Sequence, residues 1–209
     1  MFKILHDSLA TPWKVSNEIF RVLIYPLVRF KFALSGAGWG KGWKIYGMPN
    51  LQITRGAKLS IGEGLQLRSW ISSNPLGSNH PVIISIRRHN ARITIGNKFG
   101  MSGGSIVSEK SIKIGNRVLV GANCIIIDSD FHPLDYQNRA NPENSGKVLS
   151  VIIEDDVFIG METIILKGTH IGARSVIGAG SVVSGKVPAD VLAAGNPIKI
   201  IRKLDTASK

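Results

Sequence analysis

The sequence predicts an all-β solenoid, a parallel β-helix of hexapeptide units, and three observations predict it. Every sixth residue from Ile153 is a β-branched aliphatic: Ile159, Ile165, Ile171, Ile177 and Val183 follow. Glycine comes directly after three of them, at Ile159-Gly160, Ile171-Gly172 and Ile177-Gly178. The comb recurs upstream as Ile114, Val120 and Ile126, which lead in frame to His132, and as Ile95, Met101 and Val107. Six is neither the period of a helix nor that of a flat strand. It fits a short strand plus a turn, with one side chain per unit facing a core. Three units close one triangular coil, so Ile153 should stack under Ile171 and Ile159 under Ile177, with coils roughly 4.8 Å apart. Small residues at the corners permit positive φ and close stacking.

Taken in order, the chain begins with an amphipathic helical segment over residues 1–35. Val15, Ile19, Val22, Leu23, Leu27 and Phe30 fall at helical spacing. Pro26 should kink or end the helix. Lys14, Arg21, Arg29 and Lys31 alternate with aromatic residues. The apolar run Val22–Val28 is far short of the ~20 residues that span a bilayer. Arg21 interrupts any signal-peptide core. Two readings stand: a helix lying in a membrane surface, or a cap over the open edge of the first coil. Residues 36–50 are a glycine-rich linker or first turn. Residues 51–187 form the solenoid, in which Ile61 and Leu67 share one register and Ile53, Leu59, Leu65 and Ile71 another.

Two stretches leave the comb. Residues 72–92 carry turn chemistry, a strand through Val82, Ile84 and Ile86, and then Arg87, Arg88 and Arg92. These arginines are either a solvated surface or an anion site. Residues 133–150 are rich in Pro, Asn, Ser and Gly and begin directly after His132. Long unstructured loops inside compact domains are usually functional. Residues 188–209 form a C-terminal segment, in which Gly195-Asn196-Pro197 is a turn and the basic stretch from Ile198 to Lys203 folds back along the coils.

The I-G-x-x-x-x repeat, the stretch DSDFHPLD at 128–135 and the ending VIGAGSVVSGKVPADVLAAGNP at 176–197 resemble the hexapeptide-repeat acyltransferases. Within them the chain is most similar to the sugar O-acetyltransferases of capsule, colanic acid and lipopolysaccharide assembly. The resemblance implies a left-handed winding, an exception to the usual right-handed crossover. It also implies acetyl-CoA as co-substrate and a homotrimer whose active sites are shared between subunits.

His132 stands where the comb asks for an aliphatic residue, and an unpaired imidazole inside a coil is costly. The winding should therefore open there and turn the ring to a cleft. By resemblance His132 is the general base that deprotonates an acceptor hydroxyl as it attacks the thioester, a task suited to its pKa. Asp128, Asp130, Asp135 or a backbone carbonyl would orient the ring, and the same carboxylates are alternatively sugar ligands. Related enzymes place asparagines for the oxyanion where this chain has Ser102 and Gly103, so the Ser102 hydroxyl or backbone N–H groups would substitute. Glu109 and Arg87 join Asp128 and Asp135 as acceptor-binding candidates. CoA would lie along the last coils, against Gly160, Gly178, Ala179 and Ser184, with Lys199, Arg202 and Lys203 toward its phosphates.

Composition bounds the rest. Net charge is +12, and residues 1–100 carry +11 of it. That asymmetry calls for an anionic partner: an acidic membrane face, a glycan or a lipid-linked sugar phosphate. No recognition motif points to nucleic acid. One cysteine, Cys124, excludes an internal disulfide and reads as a small buried residue. Two histidines in the strong repeat, His132 and His170, are too few for a zinc carbonic anhydrase site, so no metal is expected. Gly180–Lys186 imitates a phosphate loop but continues with Val187. The expected place is the cytoplasm, with a peripheral position on the inner face of the membrane if the N-terminal segment binds lipid. Alternatives are N-acetylation of an amino sugar, or a non-catalytic protein binding anionic membrane or polysaccharide.

Overall fold

The computed structural model describes residues 11–141 and 146–205. The outer ends of the expected terminal segments, and the middle of the excursion at 133–150, lie outside the described residues. Three parallel sheets, A, B and C, surround the core and are visited in rotation. The first round is β1 (Lys44–Tyr46), β2 (Asn50–Ile53) and β3 (Lys58–Ile61). Next come β4 (Gln66–Arg68), β5 (Ile83–Ile86) and β6 (Arg92–Ile95), then β7 (Gly100–Ser102), β8 (Ser105–Ser108) and β9 (Ser111–Ile114). The fourth round is β10 (Leu119–Val120), β11 (Ile125–Ile127) and β12 (Val151–Ile153). The fifth and sixth are β13 (Phe158–Ile159), β14 (Ile164–Ile165), β15 (His170–Ile171), β16 (Val176–Ile177), β17 (Val182–Val183) and β18 (Lys186–Val187). Strand β19 (Val191–Ala194) returns to sheet A, and β20 (Lys199–Lys203) folds back antiparallel on it through the turn at 195–198.

Each strand from β1 to β16 pairs in register with the one three places on. Ile153 aligns with Ile171 and Ile159 with Ile177. All six residues of the comb from Ile153 to Val183 are buried, and stacking them removes one aliphatic side chain per unit from water. The upstream register slips at one place. Ile106, not Val107, faces inward, because the two-glycine turn Gly103-Gly104, both at positive φ, makes the step from Met101 one residue shorter. Ile71 also leaves its expected register: it lies in a 3-10 turn and is 72% exposed. The first excursion ends earlier than expected. Residues 69–82 leave the coil, β5 is an ordinary member of sheet B, and Arg87–Ala91 is its corner.

Helix α1 spans Pro12–Leu34 and runs through Pro26 rather than ending there. Pro26 and Val22 are both exposed, so the carbonyl that loses its partner sits on the solvent side. On the other side Val28 and Phe32 are buried, and Phe32 meets Trp43 edge-on at 5.2 Å beside the sheet edge formed by β1.

Cys124 is fully buried, and its Sγ lies 3.0 Å from the Gly160 carbonyl. Burial pushes its thiol up to about 11. At mildly alkaline pH a thiol reagent should therefore leave the folded protein unlabelled and modify one thiol per chain after denaturation. Labelling of the native protein at the rate of a free thiol would contradict this packing.

Candidate active site

The expected site residues divide between the two edges of sheet B. The corner from B to C carries Arg87, Glu109, Asp128, Asp130, His132, Asp135 and Ser184. The corner from A to B carries Ser102, Gly103, Gly160, Gly178 and Ala179. A strand of three or four residues separates the edges, on the order of 12 Å. Lys199, exposed on β20, pairs with Ala194 beside this second edge, and Arg202, also exposed, lies farther along the same strand.

At the first edge the second excursion leaves after β11. Its root is closed by an antiparallel bridge between Ser129 and Val148, and Gly146 lies against the His132 carbonyl. Phe131 takes a positive φ of 61°, unusual for a bulky residue. The chain turns there, and His132 is carried outside the coil and exposed. Among the described residues no side chain hydrogen-bonds to its imidazole. The short helix α2 (Tyr136–Arg139) follows, capped by Asp135, which accepts from the Gln137 amide.

The three neighbouring carboxylates have different employment. Asp128 is fully buried and accepts from Ser108 Oγ and from the amides of Glu109, Lys110 and Ser111 at 2.7–2.9 Å. This saturates the carboxylate, so Asp128 braces the preceding corner and is withdrawn from any acceptor. Asp135 is engaged in its cap. Asp130 Oδ1 accepts from Lys167 Nζ at 2.6 Å, while its Oδ2 is buried without a partner. An oxygen so placed remains available to a group brought beside it. Glu109 is held by two arginines of the coil below, Arg88 at 2.6 Å and Arg87 at 3.6 Å. The Arg87 guanidinium also lies 5.6 Å from the centre of the Phe131 ring. An exposed cation thus stands one residue from the exposed imidazole.

At the second edge one expected oxyanion donor, the Gly103 N–H, is engaged, and the Ser102 hydroxyl is fixed by a bond it accepts. The Gly103 N–H donates to the Arg68 carbonyl at 2.8 Å, and the Ser102 hydroxyl accepts from Asn74 Nδ2 at 2.8 Å. The excursion 69–82 covers this corner. Gly160 and Gly178 are small for a reason other than room for a pantetheine arm. A Cβ on Gly160 would lie 2.4 Å from the Ala179 nitrogen, and one on Gly178 would meet the Ala194 Cβ at 2.8 Å. The next coil occupies that space. Ala179 and Ser184 are exposed at opposite ends of β17. His170, the other histidine of the repeat, pairs with Glu154 at 2.7 Å on sheet C.

Comparison with known proteins fits this frame. Residues 150–185 match the family model "Bacterial transferase hexapeptide (six repeats)", and residues 111–128 match "Hexapeptide repeat of succinyl-transferase". Both matches are to hexapeptide-repeat transferase models, and both fall on strands of the three parallel sheets. The chain is 38% identical over 101 residues to galactoside O-acetyltransferase of Lactococcus lactis, covering 48% of this chain and 47% of the relative. A shorter match, 55% over 58 residues, links it to a 2,3,4,5-tetrahydropyridine-2,6-dicarboxylate N-acetyltransferase of Clostridium perfringens, covering 28% and 25%. Among solved structures, a galactoside acetyltransferase in complex with coenzyme A superimposes with a TM-score of 0.54 at 27% identity, over 70% of this chain and 66% of that one. The chain spans about half the length of the curated relatives it matches.

Phe131 and Lys167 were missed by sequence reasoning, and Arg88 was read only as surface charge or an anion site rather than as a partner of Glu109. Each acts across coils, and the Lys167–Asp130 pair spans 37 positions. Two substitutions test the framework of this site. Asp128→Ala leaves three amides without an acceptor and should cost at least about 3 kcal/mol, read by denaturant unfolding. Lys167→Met should loosen the excursion root while leaving the coil intact, read as faster hydrogen exchange at the Asp130 and Leu149 amides with unchanged exchange at Ile159.

Proposed function

We propose that the chain is an acetyl-CoA-dependent O-acetyltransferase acting on a sugar or glycan hydroxyl in surface polysaccharide assembly, with His132 as general base. One observation carries this reading: the winding of a hexapeptide-repeat transferase is broken at a single exposed imidazole. The relatives named O-acetyltransferases and the coenzyme A complex support it. In this reading the acceptor oxygen attacks the acetyl carbonyl carbon while the imidazole takes its proton. The C–O bond forms, the C–S bond breaks, and the imidazolium returns the proton to the departing thiolate. Direct transfer needs no protein nucleophile.

The surrounding residues take graded roles. Asp130 is the carboxylate we assign to orienting His132, because Asp128 and Asp135 are engaged elsewhere. Arg87 and Glu109 would meet the acceptor. Ala179 and Ser184 would border CoA, and Lys199 and Arg202 would meet its phosphates. The Ser102 hydroxyl, which accepts from Asn74, would keep its own proton for the oxyanion, whereas the Gly103 N–H would serve only after releasing the Arg68 carbonyl.

The strands are read as a left-handed β-helix over residues 51–187, flanked by the helical segment 1–35, the linker 36–50 and the segment 188–209. Two features support a homotrimer. The outer faces of sheets A and B carry apolar rungs, Leu119–Phe158–Val176–Leu192 and Ile125–Ile164–Val182. Parallel sheets normally have both faces covered. In addition, the candidate base and the Ala179 corner stand on opposite edges of one sheet, and a neighbouring copy would bring two unlike edges together. No described helix is long and apolar enough to cross a membrane, and we assign the N-terminal segment a peripheral contact with it.

N-acetylation of an amino sugar is the second reading, and its amine chemistry, rather than its sugar, is what the 55% identical N-acetyltransferase match favours. Purified protein given acetyl-CoA and a panel of hydroxyl and amine acceptors should release free thiol with a sugar hydroxyl. His132→Ala should lower kcat by roughly 10²–10⁴-fold with CoA binding unchanged. Amine acceptors alone turning over would select the second reading. Unchanged turnover in the variant would remove His132 from the reaction, and no turnover with any acceptor would favour a non-catalytic binding protein.

A further inference from the structure

The catalytic reading leaves the outer side of α1 unused. Trp13, Phe20, Leu23, Leu27, Phe30 and Leu34 are each more than half exposed. An apolar patch of this extent on a protein surface marks an interaction. The helix is held in this orientation from its other side. Val28 and Phe32 are in the core, Asn17 Nδ2 donates to the Ser72 carbonyl at 2.9 Å, and the Tyr46 hydroxyl donates to Glu18. The apolar face is therefore fixed outward.

The charge beside it has one sign. Lys14 and Arg29 are exposed and Lys31 half-buried, while the one acid of the helix, Glu18, is bound to Arg21 at 2.6 Å. Interleaved cations and large apolar side chains match an anionic lipid surface.

Beside the helix, between α1 and the excursion 69–82, lies a cavity of about 740 Å³. That is a volume typical of small-molecule sites. Phe20, Trp70, Ile71 and Pro81 make its walls mainly apolar, with Phe20 edge-on to Trp70 at 5.9 Å. Phe20 and Ile71 belong both to the cavity and to the exposed surface, so the two are continuous. Ser78 also lines the cavity. It is 4% exposed, and its hydroxyl has no hydrogen-bond partner. An apolar slot with one unspent hydroxyl fits a hydrocarbon chain that ends in an oxygen.

We infer that α1 lies on an anionic membrane and that the cavity draws in one hydrocarbon chain of a membrane lipid, with the Ser78 hydroxyl bonding the oxygen that joins chain to head. This rests on the peripheral contact proposed above and not on the transfer chemistry. The site is read with the full chain and vesicles of phosphatidylcholine with or without phosphatidylglycerol, using acyl chains brominated or not. The protein should sediment with the anionic vesicles. Leu23→Glu combined with Leu27→Glu, both exposed and outside the core, should weaken that partition at least tenfold, on the order expected for losing two inserted side chains. In a Trp13→Phe background, which removes the tryptophan of the membrane-facing side, brominated chains should quench tryptophan emission, and adding Trp70→Phe should remove most of that quenching. His132→Ala should bind vesicles like the wild type, which keeps the two readings separate. Absence of vesicle binding would overturn both the contact and the chain site. Binding with Trp70 unquenched would overturn the chain site alone. Self-association in lipid-free solution that the double substitution abolishes would make the face a contact between copies and overturn the inference.

Discussion

Every feature of this protein is constrained by the vertical register of its coils. Parallel strands one ladder spacing apart leave no slack: an inward side chain must sit on the one below, and a corner must pass over the preceding corner. The aliphatic comb meets the first demand by shape, since β-branched side chains pack well on a pleated surface. The glycine column at the corners meets the second. At Gly121, Gly160 and Gly172 a single added carbon would lie about 2.5 Å or less from the backbone nitrogen of the next coil. Excursions are tolerated only where they start and finish at the same corner, as both do here, so the ladder resumes unshifted.

That constraint explains what was legible in the sequence. The period from Ile153 to Val183 displayed the fold because each unit obeys the same register. Val107 misled because a five-residue step and a six-residue step look alike until the Gly103-Gly104 turn is seen. Ile71 misled because an aliphatic in frame does not reveal that the chain has already left the coil. Gly160 and Gly178 are the more instructive pair. Smallness is visible in a sequence, but whether the vacated volume belongs to a ligand or to the next turn of the chain is a question of stacking.

The candidate site was legible in part for the same reason. His132 stands out because it violates the comb, and the following loop confirms that the winding stops. Its surroundings were hidden. Asp128 sits in the same short stretch as Asp130, yet one is saturated by four donors from the preceding coil and the other keeps an unpaired oxygen. Lys167 and Arg88 reach the site from coils above and below, so neither shares a motif with it. Adjacency in a coiled chain is set by the length of one revolution, and the excursions make that length irregular.

Sheet A is finished at both margins. At one end α1 packs beside β1; at the other β20 reverses direction on β19 and lines the border with Lys199, Arg202 and Lys203. A stack of identical parallel rungs is a template for endless head-to-tail growth into fibres. A helix at one terminus and a cationic, oppositely directed strand at the other give this wall of the protein a fixed beginning and end, so its length is written into a single chain rather than left to polymerisation.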